Sequence, residues 1–346
     1  MLSQLDIEKA AIIPQTTTPW QPPAWKEALS GAITGAGDLL DLLGLGDSPL
    51  AARVAELPAF PLRVPLAYVR RMEYGNPDDP LLRQVLPLDL ELRETPGFVA
   101  DPLGESHHNP VPGIVHKYRG RVLLIASPAC AVHCRYCFRR HFPYEDNTLG
   151  KHQWQPALDY IASNSAIAEV ILSGGDPLAA NDQHLSWLVT QLAAIPHVRR
   201  LRVHTRFPVV IPARIDEPCL AWLTATPLIT SVVLHVNHGR EIDGEFTAMV
   251  ARLRERGITV LNQAVLLRGV NDSADALIDL SEGLFAAGVL PYYLHLLDPV
   301  AGAGHFAIPE ARAIALHRAL REALPGYLVP RLVRDVPGAP AKTPIA

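Results

Sequence analysis

Three cysteines lie close together in the sequence, at Cys130, Cys134 and Cys137. The spacing C-x3-C-x2-C puts three thiolates on one short loop, where they can hold three irons of a cubane cluster. The fourth iron then stays open for a small-molecule ligand, which indicates chemistry at the cluster. The residues leave two alternatives open: a zinc site completed by His133 or His141, and buried thiols without a role.

The chain around these cysteines alternates between strand-like and helical patterns. From Arg121 onward, apolar runs alternate with amphipathic stretches, which predicts βα units and a parallel sheet. Right-handed crossovers would curl such a sheet into a partial barrel whose chemistry lies at the carboxyl ends of the strands. The six predicted strands are Val122–Ala126, Glu169–Leu172, Arg200–His204, Ser231–Val236, Thr259–Leu266 and Tyr292–Leu297.

Polar residues collect at the ends of these strands, and the cysteine loop follows the first of them. The residues in question are Ser173, Gly174, Gly175, Asp176, His204, Arg206, His235, Asn237, Asn262, Gln263 and Asp298. Since the carboxyl ends of parallel strands meet at one face of a barrel, this pattern predicts a single active site inside the barrel.

The first third of the chain has a different character. Up to about Pro112 it breaks into short helical pieces, separated by prolines and glycines, at Trp25–Ile33, Leu39–Leu45 and Val64–Tyr74. The predicted organisation is a helical cap over residues 1–112, a barrel core over 113–330 and a C-terminal segment over 331–346.

Composition excludes several classes of partner. The 31 basic and 35 acidic residues are spread without a basic block, which argues against nucleic acid and membrane surfaces. Neither a secretory signal pattern at the start nor an apolar run of about 18 residues is present. Three of four cysteines fall within eight positions, which suits a reducing cytoplasm better than a disulfide framework. The remaining one, Cys219, is interpreted as an inert buried thiol.

C-x3-C-x2-C is the motif of the radical S-adenosylmethionine family, and the chain from about Asn76 to Lys342 resembles its lysine 2,3-aminomutase branch. Within that branch, Asn76–Gln84, Tyr136–Tyr144 and the early C-terminal stop are similar to the enzymes that make β-lysine for elongation factor P. The resemblance implies an α/β fold, a partial (β/α)6 TIM-like barrel with an N-terminal helical region and a C-terminal lysine that carries pyridoxal 5′-phosphate.

The resemblance also implies the reaction and its participants. The expected reaction converts (S)-α-lysine to (R)-β-lysine through a 5′-deoxyadenosyl radical and a 1,2-amino shift. The implied cofactors are a [4Fe–4S] cluster, S-adenosylmethionine and pyridoxal phosphate. The implied partners are L-lysine, an electron donor such as flavodoxin or ferredoxin, and a pathway link to elongation factor P and its lysyl ligase; a homo-oligomer stays open.

The resemblance assigns roles to residues of this sequence. Lys342 would attach pyridoxal phosphate, with Tyr118 and Arg121 at its ring and phosphate. The residues implied for S-adenosylmethionine are Ser173, Gly174, Gly175, Asp176, His235 and Gln263. Those implied for the substrate are Arg139 at the carboxylate, and Asp298 and Asp335 at the ε-ammonium. A lysine-selective pocket needs this separation of charge.

Two departures from the family pattern concern the pyridoxal phosphate site. Lys117 stands where an arginine is common, so a phosphate would be held without a planar fork. Ala339, Pro340 and Ala341 interrupt the glycine run before Lys342, so this loop is expected to be stiffer.

Three other functions stay open from the sequence. The first is a lysine aminomutase of catabolic or osmolyte metabolism, which the missing zinc-bearing C-terminal extension disfavours. The second is a radical S-adenosylmethionine enzyme without pyridoxal phosphate. The third is a non-catalytic iron–sulfur or zinc protein, which the polar residues at the strand ends disfavour.

Overall fold

One nine-stranded sheet, with its strands in sequence order, organises the chain. The computed structural model describes residues 23–147 and 154–346, so the first 22 residues of the predicted cap lie outside it. The strands are β1 (Ile114–Tyr118), β2 (Arg121–Ser127), β3 (Glu169–Gly174), β4 (Arg200–Thr205), β5 (Ile229–Leu234), β6 (Thr259–Val265), β7 (Leu290–His295), β8 (Arg331–Arg334) and β9 (Thr343–Pro344).

The six predicted strands are confirmed as β2 to β7, with ends that differ by up to two residues. Each pairs in parallel with the next, and β8 adds a seventh parallel strand to β7. The antiparallel edges β1 and β9 complete the sheet. Prediction missed β1, β8 and β9 because short strands with charged residues give little apolar periodicity.

The sheet curls far enough to bring its first and last strands together. Tyr118 ends β1, and Asp335 directly follows β8 at the other end of the strand order. The Tyr118 hydroxyl nevertheless donates to Asp335 Oδ1 at 2.5 Å. This contact is possible only in a barrel-like sheet, which confirms the predicted partial barrel.

Helices cover the outer face of the sheet. The α-helices in the described ranges are α1 (Ala24–Ser30), α2 (Ala36–Leu42), α3 (Leu66–Val69), α4 (Pro80–Arg83), α5 (Tyr144–Asn147), α6 (Gln155–Ser163), α7 (Asp182–Ala193), α8 (Phe207–Val210), α9 (Glu217–Thr224), α10 (Gly244–Glu255), α11 (Ala274–Ala286) and α12 (Glu310–Ala323). None of them combines the length and the apolar character that a bilayer span requires.

Short polar side chains start the helices of the barrel. Asn181, Asp216, Asp243 and Ser273 each accept a backbone N–H from the first turn of α7, α9, α10 and α11 respectively. Such caps satisfy donors that have no partner inside the helix. Each capping residue lies between a strand and the helix that follows it, so the caps fix where the chain leaves the loop at the carboxyl end of the strand.

The cap region contains the first two predicted helices, as α1 and α2, but the third is much shorter than expected. The sequence predicted a helix over 64–74, whereas α3 spans only Leu66–Val69. After it, the backbone turns more tightly, with Met72 N–H donating to the Val69 carbonyl at 2.9 Å. The tighter path directs Arg71 toward the barrel, where its Nε donates to Asp243 Oδ2 at 2.6 Å.

Candidate active site

The carboxyl ends of the parallel strands open into a cavity of about 670 Å³. This size suits small organic ligands. The residues predicted for the site all line this cavity, and they are Tyr118, Arg121, Cys130, Cys134, Cys137, Arg139, Ser173, Gly174, Gly175, Asp176, His235, Gln263, Asp298, Asp335 and Lys342. The fold therefore brings these side chains into one space.

Cys130, Cys134 and Cys137 lie on the loop after β2, at the wall of the cavity. A tight turn shapes this loop, with the Cys137 N–H donating to the Cys134 carbonyl at 3.0 Å. All three thiols are free. Burial, and then the charge of Cys134, raises the pKa of Cys137 to about 11. A metal would reverse this preference, because coordination deprotonates a thiol.

The two histidines considered as zinc ligands have their contacts outside the cysteine trio. The His133 ring stacks on Phe60 with centroids 5.0 Å apart, and its Nδ1 lies 2.9 Å from the Pro61 carbonyl. His141 Nε2 lies 3.2 Å from the Ala301 carbonyl. Over residues 23–147 and 154–346, no three His, Cys, Asp or Glu side chains form a site for a single ion. These contacts argue against zinc completed by either histidine.

A buried ion cluster fixes the cysteine loop to the cap. Arg135 donates from Nε and Nη2 to the two Glu91 oxygens at 2.8 and 2.7 Å, and Arg140 donates to the same carboxylate at 2.6 Å. The Glu91 side chain is 1% exposed. Removing one partner from such a buried cluster typically costs about 3–5 kcal/mol, because an uncompensated charge remains. Sequence reasoning missed this cluster because its members are 44 and 49 positions apart.

Gly174 and Gly175 are required by close packing between β3 and the start of the cysteine loop. Gly174 has φ +119°, and a Cβ there would lie 2.6 Å from the Ser127 carbonyl oxygen. A Cβ on Gly175 would lie 2.4 Å from the Pro128 carbonyl oxygen. Since both obstacles are backbone atoms, a larger residue would push the cysteine loop away from the strand.

Asp176 braces the end of β3 against the end of β4. Its oxygens accept from Leu178 N–H at 3.0 Å, Thr205 Oγ1 at 2.7 Å, and the N–H groups of Arg206 and Phe207 at 2.8 Å each. Burial raises the pKa of Asp176 to about 6, although these hydrogen bonds oppose the rise. The carboxylate is thus occupied by protein donors, and its predicted contact with a cofactor stays a prediction.

Arg139, predicted to bind a carboxylate, already has a partner inside the protein. Its Nε and Nη2 donate to the two oxygens of Glu105 at 2.7 and 2.8 Å. Its Nη1 donates to Ser173 Oγ at 3.0 Å and to the Gly174 carbonyl at 3.4 Å. Of the five guanidinium N–H groups, one on Nη2 is left by these contacts within the described chain. Glu105, which the sequence prediction missed, therefore fixes the plane of the arginine.

His235 and Gln263 contact each other, and a third side chain that was not assigned a role joins them. Gln263 Nε2 lies 2.8 Å from His235 Nε2 and 3.5 Å from His204 Nδ1. Burial lowers the pKa of His235 to about 3, so this ring is neutral at physiological pH. Because the amide nitrogen is a donor, both contacted ring nitrogens are acceptors. The proton of His204 then sits on Nε2, which is buried without a partner in the described residues.

The predicted cofactor lysine is paired with one of the two predicted substrate acids. Strands β8 and β9 form an antiparallel hairpin with Arg334 opposite Thr343, so the next pair is Asp335 and Lys342. Lys342 Nζ lies 2.5 Å from Asp335 Oδ2. Burial alone would raise the pKa of Asp335, but the charge and hydrogen bond of Lys342 lower it to about 2. The hairpin register therefore holds an ammonium beside this carboxylate.

Asp298 differs from Asp335 in its ionisation. Burial, and then the charge of Asp335, raises the pKa of Asp298 to about 7, while Lys342 and Lys117 oppose the rise. His295, at the end of β7, lies beside Asp335 with Nδ1 4.0 Å from Oδ2, and its Nε2 is buried without a partner in the described residues. Sequence reasoning missed His295 because the predicted strand continued past it to Leu297.

The start of the barrel places two cations beside Tyr118. The Arg121 guanidinium carbon lies 4.6 Å from the centre of the Tyr118 ring, and Lys117 Nζ lies 6.0 Å from it. Burial and the hydrogen bond to Asp335 raise the pKa of Tyr118, which therefore stays protonated and donates. This arrangement fits an anionic aromatic ligand attached at Lys342, because it offers both cations and an aromatic face.

Curated relatives match almost the whole chain. A protein of Escherichia coli (strain K12) named L-lysine 2,3-aminomutase is 50% identical over 93% of this chain and 94% of its own length. A protein of the same name from Haemophilus influenzae is 49% identical over 96% of this chain and 98% of its own length. The chain belongs to the L-lysine 2,3-aminomutase family.

Other members of the L-lysine 2,3-aminomutase family match over a smaller share of their length. The protein of that name from Clostridium subterminale is 37% identical over 80% of this chain and 67% of its own length. A family model described as a 4Fe-4S single cluster domain matches residues 119–200, which contain the cysteine loop. These findings confirm the predicted enzyme class, a radical S-adenosylmethionine isomerase, and the predicted [4Fe–4S], S-adenosylmethionine and pyridoxal phosphate cofactors.

Two solved structures show a weaker similarity. A radical SAM methyltransferase from Sphaerobacter thermophilus is 19% identical, covers 64% of this chain and 68% of its own, and has a TM-score of 0.44. Coproporphyrinogen III oxidase from Escherichia coli is 14% identical over 64% of this chain and 54% of its own, with a TM-score of 0.39. The assignment to the aminomutase family does not depend on either.

Proposed function

We propose that the protein converts (S)-α-lysine to (R)-β-lysine and that this product modifies elongation factor P. The observation that carries the proposal is the content of one cavity: three free thiols, a lysine paired with a carboxylate, and a second carboxylate. Thiols suit an iron–sulfur cluster, the lysine suits a carbonyl cofactor, and two acids suit a cationic substrate.

Each cofactor has a set of residues in this cavity that would hold it. When bound, the cluster with S-adenosylmethionine supplies a radical, and pyridoxal phosphate supplies a π system for the migrating nitrogen. We assign Cys130, Cys134 and Cys137 to the cluster. The side chains assigned to S-adenosylmethionine are Ser173, Gly174, Gly175, Asp176, His235 and Gln263, and those assigned to pyridoxal phosphate are Lys342, Tyr118 and Arg121.

The pairing of Lys342 with Asp335 implies that Asp335 would bind the substrate only after Lys342 has left it. In the protein alone, Asp335 is satisfied by the Lys342 ammonium at 2.5 Å. While Lys342 holds pyridoxal phosphate, its amine would not be available to Asp335 as an ammonium, and this carboxylate would be open to another cation. The substrate ε-ammonium is a cation of the same kind, so Asp335 and Asp298 together would hold it.

At the other end of the substrate, Arg139 would orient the α-carboxylate. Glu105 and Ser173 hold the guanidinium in one plane, so its remaining N–H is directed before the ligand arrives. Such pre-orientation reduces the entropy lost on binding. Because Glu105 already balances the charge of Arg139, we expect this end of the pocket to select ligands by the position of their carboxylate more than by its charge.

Asp298 is expected to set the pH dependence of lysine capture. Its pKa of about 7 means that a fraction is neutral near physiological pH, whereas the substrate ε-ammonium stays charged. kcat/KM for lysine should therefore rise with pH through about 7. Asp298→Asn should abolish this rise and lower kcat/KM at pH 8 by about 10- to 100-fold, the worth of a charge-assisted hydrogen bond.

Asp335→Asn provides the matched comparison in the same measurement. The charge of Asp335 is, after burial, the second cause that raises the pKa of Asp298. Its removal should therefore move the rise in kcat/KM to lower pH without abolishing it. If Asp298→Asn kept the wild-type pH profile, Asp298 would not be the group that captures the ε-ammonium.

The pathway assignment rests on Asn76–Gln84 and Tyr136–Tyr144, whose similarity is to the enzymes that supply β-lysine to elongation factor P. We further propose a cytoplasmic enzyme, reduced by a flavodoxin or ferredoxin, whose chain divides into the cap over 1–112, the barrel core over 113–330 and the lysine-bearing segment over 331–346. The four free cysteines are consistent with a reducing compartment.

Elongation factor P itself tests the pathway. It should be purified from host cells with and without this gene, and its modified peptide compared with synthetic α- and β-lysyl standards by chromatography and mass spectrometry. Deletion should remove the β-lysyl peptide, and the wild-type gene, but not a Lys342→Ala variant, should restore it. An unchanged β-lysyl peptide after deletion would instead favour the role in catabolic or osmolyte metabolism.

A further inference from the structure

Arg206 follows β4 and carries a buried charge that its protein partners satisfy on one nitrogen only. Its side chain is 5% exposed. Nη2 donates to Tyr68 Oη at 3.0 Å, to Gln84 Oε1 at 2.8 Å and to Glu241 Oε2 at 3.1 Å. Nε and Nη1 are buried and have no hydrogen-bond partner in the described residues. Three of the five N–H groups of this guanidinium are thus unsatisfied.

Unsatisfied donors on a buried cation are costly, so they call for an acceptor that the protein chain does not supply. Each such donor loses its hydrogen bond to water without a replacement, and the loss is larger for charged groups. A buried group left in this state in a native protein marks a water, an ion or a ligand. The acceptor here must tolerate a cation and reach a site that is closed to bulk water.

The cysteine loop is the neighbour that meets this description. Arg206 and Cys134 line the same cavity, and the guanidinium carbon lies 5.6 Å from the ring centre of Tyr136, which stands between Cys134 and Cys137 in the loop. Tyr136 is itself fixed by donation from Asn237 Nδ2 to its hydroxyl at 2.6 Å. Arg206 therefore lies beside the loop that carries Cys134.

We propose that Nε and Nη1 of Arg206 donate hydrogen bonds to the sulfur of Cys134 once that sulfur ligates the cluster, and so raise the reduction potential of the cluster. The proposal rests on the cluster assignment made above. Hydrogen bonds to sulfur and nearby positive charge both favour the more negative, reduced state of a cluster. Arg206 would thus be a positioning residue, since it acts on the reaction through the cluster.

An EPR-monitored redox titration of the reconstituted full-length protein, without S-adenosylmethionine, tests the proposal. Arg206→Met should lower the ratio of reduced to oxidised cluster at a fixed potential by about tenfold, which for a one-electron couple is 59 mV. Glu241→Gln should shift the ratio the opposite way, because it removes the carboxylate that offsets the charge of Arg206, with Oε2 3.1 Å from Arg206 Nη2. Two opposite shifts from one ion pair would not follow from a general loosening of the fold.

Arg202 offers a matched control on the same strand. It lines the same cavity, but its Nε and Nη2 are taken by Glu169 at 3.1 and 2.6 Å. Arg202→Met should leave the cluster potential at the wild-type value. An equal shift in Arg202→Met and Arg206→Met would overturn the specific role of Arg206.

The remaining outcomes also decide the matter. If Arg206→Met does not assemble a cluster, Arg206→Gln, which also removes the positive charge, is titrated instead, and a wild-type potential in that variant contradicts the proposal. An unchanged potential combined with weaker binding of S-adenosylmethionine would assign Arg206 to that ligand and overturn the contact with sulfur. Failure of the wild-type protein itself to take up a [4Fe–4S] cluster would refute the proposed function, and is distinguishable because no variant is involved.

Discussion

Cys134→Ser is expected to abolish the [4Fe–4S] cluster and all turnover of lysine. Serine keeps the size of the side chain but provides a poor ligand for iron, and the remaining Cys130 and Cys137 leave a third iron without its thiolate. Without the cluster no radical forms, and enzymatic rate enhancements of at least about 10⁶ are lost, so activity should fall below detection. Iron and sulfide content and the cluster EPR signal measure the first effect, and anaerobic turnover the second.

Cys219→Ala is the matched control for this variant. Cys219 is fully buried in α9, outside the cysteine loop. Its replacement removes one heavy atom from the core and should lower the free energy of unfolding by about 1 kcal/mol. Iron content and turnover should equal those of the wild type. Full iron content and wild-type turnover in Cys134→Ser would show that these three cysteines do not hold the cluster.

Lys342→Ala is expected to eliminate covalent attachment of pyridoxal phosphate. Reduction of the loaded wild-type protein with borohydride should trap the cofactor on the peptide that contains Lys342, and the variant should give no labelled peptide. Loss of a pre-positioned attachment group should cost at least about 10³-fold in turnover. The sequence contains only five lysines, so peptide mapping identifies the site without ambiguity.

Lys342→Arg separates the cofactor role from the ion pair. Arginine can keep a cation beside Asp335, as the β8–β9 hairpin register places it there, but it does not form the covalent link. This variant should fold like the wild type and still fail to be labelled. The exposed Lys26→Arg serves as the control and should be labelled at Lys342 as in the wild type. Label on another lysine in the wild-type protein would refute the placement.

The sequence was most informative where function depends on local spacing. The cysteine trio, the six strands and the polar residues at the strand ends follow from periodicity and from short motifs, and the structure brings them to one cavity. Local patterns predict such features because each strand end is defined by its own few residues. The carboxyl ends of parallel strands then meet by geometry alone.

Contacts between distant segments could not be predicted in this way. Glu105 reaches Arg139 across 34 positions and Glu91 reaches Arg135 across 44. No periodic pattern encodes such pairs, because their partners are chosen by the fold. These ion pairs nonetheless hold the cysteine loop and Arg139, the arginine proposed to bind the substrate carboxylate. The sequence therefore indicated the site residues but not the residues that support them.

In the C-terminal segment, neither spacing nor periodicity indicates the site residues. Sequence alone treats Lys342 and Asp335 as residues near a chain end, and only a family resemblance singles them out. The structure adds the physical reason for their proximity, since the β8–β9 register sets them opposite each other. The turn of this hairpin is closed by the Ala339 N–H, which donates to the Val336 carbonyl at 3.1 Å, and Ala339, Pro340 and Ala341 lead from it to Lys342.

The most direct test of the central proposal is anaerobic incubation of the reconstituted protein with lysine, S-adenosylmethionine, pyridoxal phosphate and a reductant. The products should be resolved by regioisomer and enantiomer, with glutamate and arginine as parallel substrates. We expect (R)-β-lysine from lysine and no amino shift in the other two. A protein that carries its cluster and pyridoxal phosphate, yet yields no β-lysine or shifts glutamate as fast as lysine, would contradict the proposed function.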